Sequence, residues 1–273
     1  MKYSVITPTY NRPEKLIRCV ESVLNQNRSN NIKDNFDFEL IIVNDSPLFD
    51  YGIFNNYLYK LKVENFENFS KIKYFVNKEN MGVNYSRNYA LDYVSKDTTS
   101  DYVIFLDDDD WLSGDALLEL ENKIKETNKL SWYISKRTFE DMKDLSDIPE
   151  YNKYYDFTWD HLILKKIRQE RTNIISSKLI RDKNILYSKY IKQAEELIFF
   201  HHLSKYIDMY ALDLPTTLTE GFLIDGLSKN KDKKTQRIKQ TLTLLKEARE
   251  RNVLDFKFSI YLLLRIFAII IKK

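Results

Sequence analysis

Apolar and polar residues alternate along the first part of the chain in a pattern that predicts β-strands separated by α-helices. Four short, mostly apolar runs predict strands, at residues 5–6, 38–43, 72–76 and 102–106. Apolar residues recur every three or four positions in the stretches near residues 15–24, 85–94 and 117–124, which indicates helices. This order favours an α/β fold with a mostly parallel sheet flanked by helices.

After about residue 130 the pattern is less regular, but it predicts a strand near residues 173–175 and helices over residues 195–206 and 233–251. Residues 256–271 are strongly apolar. The 273 residues suffice for one large domain or two closely packed ones, and 43% of hydrophobic residues is ordinary for a folded protein. We therefore expect an α/β body with a C-terminal helical extension.

Composition and charge narrow the class of protein. Cys19 is the only cysteine, and apolar neighbours at helical spacing predict a buried thiol, which suits a reducing compartment such as the cytoplasm. The chain starts on a predicted strand, without a charged segment followed by an apolar one, so no signal peptide is predicted. A net charge of +3 is too small to indicate a nucleic-acid partner.

Polar residues follow three of the predicted strands at the point where each strand ends. They are residues 7–11, Asp45 and the run from Asp107 to Asp110. Because ligands of open α/β sheets bind beyond the carboxyl ends of the strands, these residues are predicted to form a single site.

The four consecutive aspartates are the main chemical signal in this set. Ionised carboxylates at such short distances repel one another, and hard Mg²⁺ or Mn²⁺ offsets the repulsion while also binding phosphate oxygens. On an extended strand Asp107 and Asp109 would point the same way. A solvated acidic loop before the helix near Asp115 is the alternative, but a position directly after an apolar strand favours a ligand site.

Four motifs, in this order, resemble the signature of family 2 glycosyltransferases, which have the GT-A fold. They are Val5-Ile6-Thr7-Pro8-Thr9-Tyr10-Asn11, Val43-Asn44-Asp45-Ser46, Asn80-Met81-Gly82 with Arg87-Asn88, and Phe105-Leu106 followed by the aspartates. The resemblance implies a GT-A, Rossmann-like domain. Residues 1–112 would bind a nucleotide sugar, residues 113–228 an acceptor, and residues 229–273 would form a basic and apolar helical tail.

The resemblance also implies which residues bind the donor. Those expected around its nucleotide and diphosphate are Pro8, Thr9, Tyr10, Asn11, Asp45, Gly82, Arg87 and Asn88. Tyr10 would pack near a uracil base, Asp45 would accept a hydrogen bond from the base, and Arg87 would lie near the ribose or diphosphate.

Within the acidic run, the resemblance implies that Asp107 binds the ribose or a metal-bound water and that Asp109 coordinates Mn²⁺ or Mg²⁺. Asp108 and Asp110 would support them, and with four identical residues a shift of one position stays open. Family members often have a histidine near residue 225 that helps bind the metal or diphosphate. This chain has Asp225 there, which is expected to serve as an oxygen ligand instead.

Inverting sugar transfer needs a base that removes the proton from the attacking hydroxyl group. Family members carry a Glu-Asp pair at the start of a helix past residue 150, and Glu195-Glu196 occupies the matching place. The resemblance implies Glu196 as the base and Glu195 as the alternative, whereas a pair of acids in a first helical turn is the structural interpretation. His161, His201 and His202 show no metal-ligand spacing, and His201 and His202, in the helix predicted over residues 195–206, are predicted to be structural.

The tail combines basic and apolar segments. Residues 229–251 contain nine Lys or Arg against three Asp or Glu. The apolar block at residues 260–271 is shorter than the ~20 residues of a spanning helix and contains Arg265. One interpretation is a helix lying on the inner-membrane surface. The other is a helix packed on the core or on a second subunit of a homo-oligomer.

The sequence thus predicts an inverting, metal-dependent glycosyltransferase. Its donor would be a nucleotide-diphosphate sugar, with a UDP-sugar preferred, and its acceptor a glycan or lipid-linked glycan in bacterial polysaccharide, capsule or lipooligosaccharide synthesis. A nucleotidyltransferase is disfavoured because residues 7–12 lack the glycine of a phosphate-binding loop. A catalytically silent nucleotide-sugar-binding protein stays open because Glu196 replaces the usual aspartate and the usual histidine is missing.

Overall fold

The computed structural model describes residues 1–26, 37–66, 68–140, 148–167, 171–193, 195–220 and 234–271. The strands among these residues are β1 (Lys2–Thr9), β2 (Asp37–Asn44), β3 (Ile72–Val76), β4 (Tyr102–Phe105), β5 (Asp110–Leu112), β6 (Trp132–Phe139), β7 (Lys153–Tyr155), β8 (Thr172–Ser176) and β9 (Met209–Thr219). The α-helices among them are α1 (Pro13–Leu24), α2 (Gly52–Val63), α3 (Val83–Lys96), α4 (Ala116–Glu126), α5 (Ser177–Lys183), α6 (Leu197–Ser204), α7 (Lys234–Glu250) and α8 (Phe256–Ile271).

The first four strands form a parallel sheet in the order β3-β2-β1-β4. Helix α1 follows β1 and helix α3 precedes β4, so the chain alternates between strand and helix as the apolar pattern predicts. The carboxyl ends of β1, β2 and β4 therefore lie at one edge of the sheet, and the three polar motifs meet there. The predicted α/β fold is confirmed.

Beyond β4 the same sheet continues with mixed strand directions. Strand β8 pairs antiparallel with β4, and β6, β9 and β5 follow in that order, while β7 pairs with the far side of β9. Strand β5 begins at Asp110, so the acidic run lies between two strands of one sheet. The acidic run thus connects β4, the last parallel strand of the first part, to β5 at the far end of the mixed part.

Two hydrophobic cores cover the two faces of the sheet. Alternate residues of one strand point to opposite faces, and accordingly Val5 packs with α1 and α4 whereas Ile6 packs with α3 and α6. Cys19 is buried in the core on the α1 side, and its thiol is free. Each strand therefore has apolar contacts on both sides, as expected where helices cover both faces of a sheet.

The predicted C-terminal helical extension is confirmed as α7 and α8. Leu244, Ala248, Phe258 and Leu262 are fully or almost fully buried in the core on the α3 side, so one face of each helix packs on the protein body. The remaining surface of α8 exposes large apolar side chains: Leu263, Leu264, Phe267, Ile270 and Ile271. Among the described residues, no helix combines the length and the apolar character that crossing a bilayer requires.

Candidate active site

The four aspartates form a tight turn. Strand β4 ends at Phe105, and the N–H of Asp110 donates to the carbonyl oxygen of Asp107 at 3.1 Å. Carboxylate oxygens of Asp107, Asp109 and Asp110 lie within 4.8 Å of one another, and we call these three residues the carboxylate cluster. Asp107 and Asp109 lie together as predicted, but the cause is this turn rather than an extended strand, and the turn adds Asp110 to the group.

Asp108 points away from the carboxylate cluster, toward the loop after β1. Its Oδ2 accepts hydrogen bonds from the Thr9 hydroxyl at 2.7 Å and from the N–H of Tyr10 at 3.3 Å. Arg12 donates to Asp108 at 3.3 Å and to Asp109 at 2.8 Å. These contacts join the loop after β1 to the acidic turn.

Arg137, on β6, is a second cation at the acidic turn. It donates to Asp110 at 2.8 Å and to the Thr219 hydroxyl at 3.3 Å. Burial nevertheless raises the pKa of Asp110 to about 8, and burial also raises the pKa of Asp108 to about 7. Because burial disfavours the ionised forms, these carboxyl groups need further positive charge, such as a divalent cation, to be fully ionised at neutral pH.

Arg87 connects the carboxylate cluster to Glu196. Its Nη2 donates to Asp107 at 3.0 Å and its Nη1 donates to Glu196 Oε1 at 2.6 Å. Arg87 is buried over the Tyr187 ring, whereas Asp107 and Glu196 each keep 44% of their side-chain surface accessible. Partial desolvation by the surrounding protein opposes the ionisation of Asp107, but the charges of Arg87 and Arg137 outweigh this effect and lower its pKa.

Glu195 and Glu196 precede helix α6 and have different surroundings. Glu195 Oε2 accepts a hydrogen bond from Arg265 at 2.8 Å, its Oε1 accepts one from the N–H of Leu197 at 3.3 Å, and its side chain is only 12% exposed. Glu196 is bonded through Oε1 alone among the described residues, so its Oε2 is available to a substrate. The geometry therefore favours Glu196 over Glu195 for contact with an acceptor.

Asp45, at the end of β2, is buried and organises the turn before α3. Its carboxylate accepts hydrogen bonds from the Asn77 side chain at 2.7 Å and from the N–H groups of Met81 and Gly82 at 2.8 and 2.7 Å. A carboxylate has about four acceptor positions, so one remains for the base that the resemblance assigns to Asp45.

Gly82 and Asn88, two predicted donor-binding residues, also make close contacts within the protein. Gly82 has φ of 92°, and a Cβ atom there would lie 2.3 Å from the carbonyl oxygen of Lys192. Asn88 accepts a hydrogen bond from the N–H of Tyr187 at 2.8 Å and donates to its carbonyl oxygen at 3.2 Å. Gly82 thus allows Lys192 to approach closely, and Asn88 fixes Tyr187 against α3, while their predicted contact with a donor stays a prediction.

The loop after β1 is exposed and lies at the carboxyl ends of the parallel strands, next to the acidic turn. The Tyr10 side chain is 48% exposed, so its ring is free to stack on a planar ligand. Pro8 is buried in β1, and the Thr9 hydroxyl also contacts the Tyr51 hydroxyl at 3.0 Å. Asn11 has φ of 57°, and its N–H donates to the Ser46 hydroxyl at 3.0 Å, which fixes the loop against β2.

The histidines lie in the core and not in the carboxylate cluster. His201 contacts the Val253 carbonyl oxygen at 2.9 Å and the Thr158 hydroxyl at 3.2 Å. Burial lowers the pKa of His161 to about 3 and that of His202 to about 4, so both are neutral at physiological pH. Asp225, the expected oxygen ligand, lies outside the described residues.

The donor set at the acidic turn fits a hard divalent cation. The carboxylate cluster offers oxygen atoms within one ion's reach, and oxygen ligands are those that Mg²⁺ and Mn²⁺ prefer. The acidic run together with Glu196 gives five carboxylates, against three guanidinium groups from Arg12, Arg87 and Arg137. If all five were ionised, two negative charges would be in excess, and a divalent cation held by Asp107, Asp109 and Asp110 would offset them.

Three residues at the site were missed by sequence reasoning. Arg12 directly follows the motif of residues 5–11, so its position next to that motif was an available signal. Arg137 and Arg265 reach the site from β6 and α8, and neither stands near any motif of the first 112 residues. Their contacts depend on the tertiary fold, which no local pattern reports.

Comparison with known proteins identifies the class. Residues 4–187 match the family model described as Glycosyl transferase family 2. The crystal structure of Staphylococcus aureus TarS 1-349 in complex with UDP-GlcNAc has the same fold, with a TM-score of 0.67 at 22% identity over 89% of this chain and 65% of that one. The chain therefore has the GT-A fold that is expected of this family.

Curated relatives agree with that class. The chain is 39% identical over 128 residues to the poly(ribitol-phosphate) beta-N-acetylglucosaminyltransferase TarP of Staphylococcus aureus, across 46% of this chain and 34% of the relative. It is 35% identical over 127 residues to a Campylobacter jejuni GalNAc(5)-diNAcBac-PP-undecaprenol beta-1,3-glucosyltransferase, across 46% of this chain and 35% of the relative. The matches thus span about a third of these relatives. With two thirds of its residues inside the family match, the chain belongs to glycosyltransferase family 2.

Proposed function

We propose that this protein transfers a sugar, with inversion at the anomeric carbon, from a nucleotide-diphosphate sugar to a hydroxyl group of a glycan or lipid-linked acceptor. The observation that carries the proposal is the Arg87 bridge between Asp107 and Glu196. Arg87 thus holds Glu196, whose carboxylate is able to accept a proton, beside the carboxylate cluster, which is able to hold a cation and a diphosphate. A donor bound at the carboxylate cluster and an acceptor hydroxyl bound at Glu196 would therefore lie next to each other.

The donor side is built from the loop after β1 and the acidic turn. Tyr10 would stack on the base, which we take to be uracil, and Asp45 would accept a hydrogen bond from it. Asp107 would bind the ribose or a metal-bound water, and Asp109 would be the principal ligand of Mn²⁺ or Mg²⁺. When bound, the cation supplies positive charge that stabilises the departing diphosphate. The similar fold of TarS, whose structure contains UDP-GlcNAc, supports a UDP-sugar.

Glu196 is proposed as the general base. Its Oε1 is held by Arg87, and its Oε2 would take the proton of the acceptor hydroxyl as the oxygen attacks the anomeric carbon. The nucleoside diphosphate leaves from the opposite face of the sugar, which inverts the configuration. The names of the relatives include poly(ribitol-phosphate) and an undecaprenol-linked glycan, and they support an acceptor of bacterial surface-glycan synthesis.

A metal-dependence experiment tests the donor site. We predict that Asp109→Ala abolishes the Mn²⁺-dependent thermal shift that a UDP-sugar produces, because the cation loses a carboxylate of the cluster. Asp115→Ala is the matched control, since Asp115 is an exposed acid five residues past the cluster with no side-chain hydrogen bond to its helix. Equal donor-induced shifts in the Asp109 variant and the wild type would move the metal site elsewhere.

Donor hydrolysis separates the enzyme from the catalytically silent alternative. The wild-type chain is expected to release UDP from a UDP-sugar slowly in the presence of Mn²⁺ and faster when an acceptor is added. Donor binding without turnover, under any divalent metal, would favour the silent nucleotide-sugar-binding protein. We further propose that the protein works in the cytoplasm, on the inner face of the membrane, with the exposed face of α8 in contact with lipid.

A further inference from the structure

The residues that lead to Glu196 are held in place by both C-terminal helices. We propose that Arg265, on α8, is a positioning residue that fixes Glu195 and, through it, the backbone of Glu196. Helix α8 would then contribute to the active site. The inference rests on the proposed role of Glu196 as the base.

The first observation is the contact between Arg265 and Glu195. The guanidinium donates to Glu195 Oε2 at 2.8 Å, and both side chains are largely withdrawn from solvent. Glu195 Oε1 accepts the N–H of Leu197 at 3.3 Å, so the carboxylate is fixed between α8 and the start of α6. Tyr261, one turn earlier on α8, lies beside Arg265. Removal of one partner of such a pair leaves an uncompensated charge that is largely withdrawn from solvent, so breaking this contact is unfavourable.

The second observation is that a series of contacts leads from the Arg265–Glu195 pair to the carboxylate cluster. Glu195 is joined by one peptide bond to Glu196, Glu196 pairs with Arg87 at 2.6 Å, and Arg87 pairs with Asp107 at 3.0 Å. Each step from α8 to the acidic turn is thus an ion pair or a single peptide unit. A displacement of the Glu195 side chain would turn the backbone that carries Glu196.

Helix α7 holds the other end of the same segment. Glu247 accepts hydrogen bonds from the Ser188 hydroxyl at 2.6 Å and from the N–H of Lys189 at 3.1 Å. Arg251, in the turn after α7, donates to the Tyr187 carbonyl oxygen at 2.8 Å. Tyr187 in turn lies against Arg87. The two helices therefore contact this segment at residues 187–189 and at Glu195, and the contact of Arg265 is the one nearest the proposed base.

A charge-neutralising role without a catalytic effect is the competing interpretation of Arg265. The two interpretations differ in kinetics. A positioning residue acts on the step that needs Glu196, so its loss lowers kcat and leaves donor affinity at the carboxylate cluster unchanged. A residue that only stabilises the fold lowers the melting temperature without a selective effect on kcat.

The experiment compares Arg265→Ala and Arg265→Lys with Lys257→Ala in the full chain. Lys257 is the matched control because it lies on the same helix and pairs with Asp156 at 2.6 Å. Its side chain therefore makes its ion pair with an acid other than Glu195. We expect Arg265→Ala to lower kcat roughly ten- to a hundredfold with a donor Kd within about twofold of wild type, the scale expected for a misplaced catalytic group. Arg265→Lys should recover part of the loss, and Lys257→Ala should change neither quantity.

A double variant tests whether Arg265 acts through Glu195. In a Glu195→Gln background, Arg265→Ala should cause little further loss of kcat, because the ion pair is already broken. Wild-type kcat in Arg265→Ala, or independent losses that multiply in the double variant, would overturn the inference. If Arg265→Ala does not fold, Arg265→Lys and Glu195→Gln give the same comparison. A wild-type chain that binds the donor but never transfers sugar would instead contradict the proposed function.

Discussion

Glu195 and Glu196 are neighbours in the sequence, yet the fold gives them different freedom. Glu195 is committed to Arg265 and to the N–H of Leu197, whereas Glu196 uses one oxygen for Arg87 and keeps the other accessible. A base must be held firmly and must also reach the proton that it removes. Of these two glutamates, Glu196 meets both requirements, and for this reason we propose it as the base.

This difference gives a prediction for the two glutamates. Glu196→Gln removes the proton acceptor while preserving the size of the side chain, so kcat for transfer should fall by roughly 10²- to 10⁴-fold with donor binding intact. Steady-state transfer assays with a separate donor-binding measurement check this. Glu195→Gln is the comparison variant and should lose less. If the Glu195 variant proved the more damaged of the two, the roles would have to be exchanged.

The sequence could indicate the acids of the site and Arg87, but not the distant cations Arg137 and Arg265. Asp107 to Asp110 follow an apolar strand, so local pattern and family resemblance both lead to them. Arg137 stands in a stretch with no motif, and its contact with Asp110 exists only because β6 and β5 both pair with β9. Charge compensation from distant strands is a property of the tertiary fold, and a single sequence does not report it.

At the scale of elements, the turn before α3 shows how the two sides of the site are held together. Asp45 fixes this turn from β2, and Gly82 allows the backbone of Lys192 to approach. Asn84, in the first turn of α3, adds a hydrogen bond from its side chain to the Ile191 carbonyl oxygen at 2.9 Å. The start of α3 is thus the contact surface for the segment that leads to Glu196.

We predict that Gly82→Ala destabilises the protein and lowers transfer activity. The left-handed φ costs about 1–3 kcal/mol for a non-glycine residue, and a Cβ atom 2.3 Å from the Lys192 carbonyl oxygen forces residues 187–192 to move. Gly114→Ala is the control, because a Cβ atom there meets nothing within 4 Å. Thermal unfolding of the two variants checks the expectation, which fails if both melt at the wild-type temperature.

Elements were predictable where their apolar pattern was uninterrupted. Strand β3 occurs at the predicted residues, and β2 and β4 lie within a residue or so of their predicted bounds. Strands β6 and β9 escaped prediction because polar residues interrupt them: Lys136 and Arg137 in β6, and Asp213 and Pro215 in β9. Helix α2 exposes most of its surface and so lacks a clear apolar stripe. Pairing with the sheet, not local pattern, determines the missed strands.

At the scale of the whole molecule, α8 has two apolar surfaces with different environments. One packs on the core through Phe258 and Leu262, and the other exposes Leu263 and Phe267, which are 67% and 60% accessible. Residues 256–273 contain basic residues and no acid, so the segment complements an anionic surface. Exposed apolar side chains together with basic charge are typical of helices that lie on a membrane.

We predict that the protein sediments with vesicles that contain anionic lipid and less with neutral vesicles. Replacing Leu263 and Phe267 by Ser should reduce this binding, because their burial in the lipid interface is lost. Replacing Tyr59 and Val63, exposed apolar residues of α2, by Ser is the control and should leave binding unchanged. Failure of the wild type to bind vesicles, together with a dimer that the α8 changes dissociate, would favour the second-subunit interpretation.

The position of α8 also affects how purified preparations should be interpreted. Because α8 exposes large apolar side chains, it is a segment that would be removed by truncation to improve expression. A chain shortened before residue 256 would lose Phe258 and Leu262 from the core and Arg265 from Glu195, yet it would retain β1, β2 and the acidic turn. Such a preparation would be expected to bind nucleotide sugar without transferring it. Inactivity of a trimmed preparation would then reflect the missing helix rather than the natural protein.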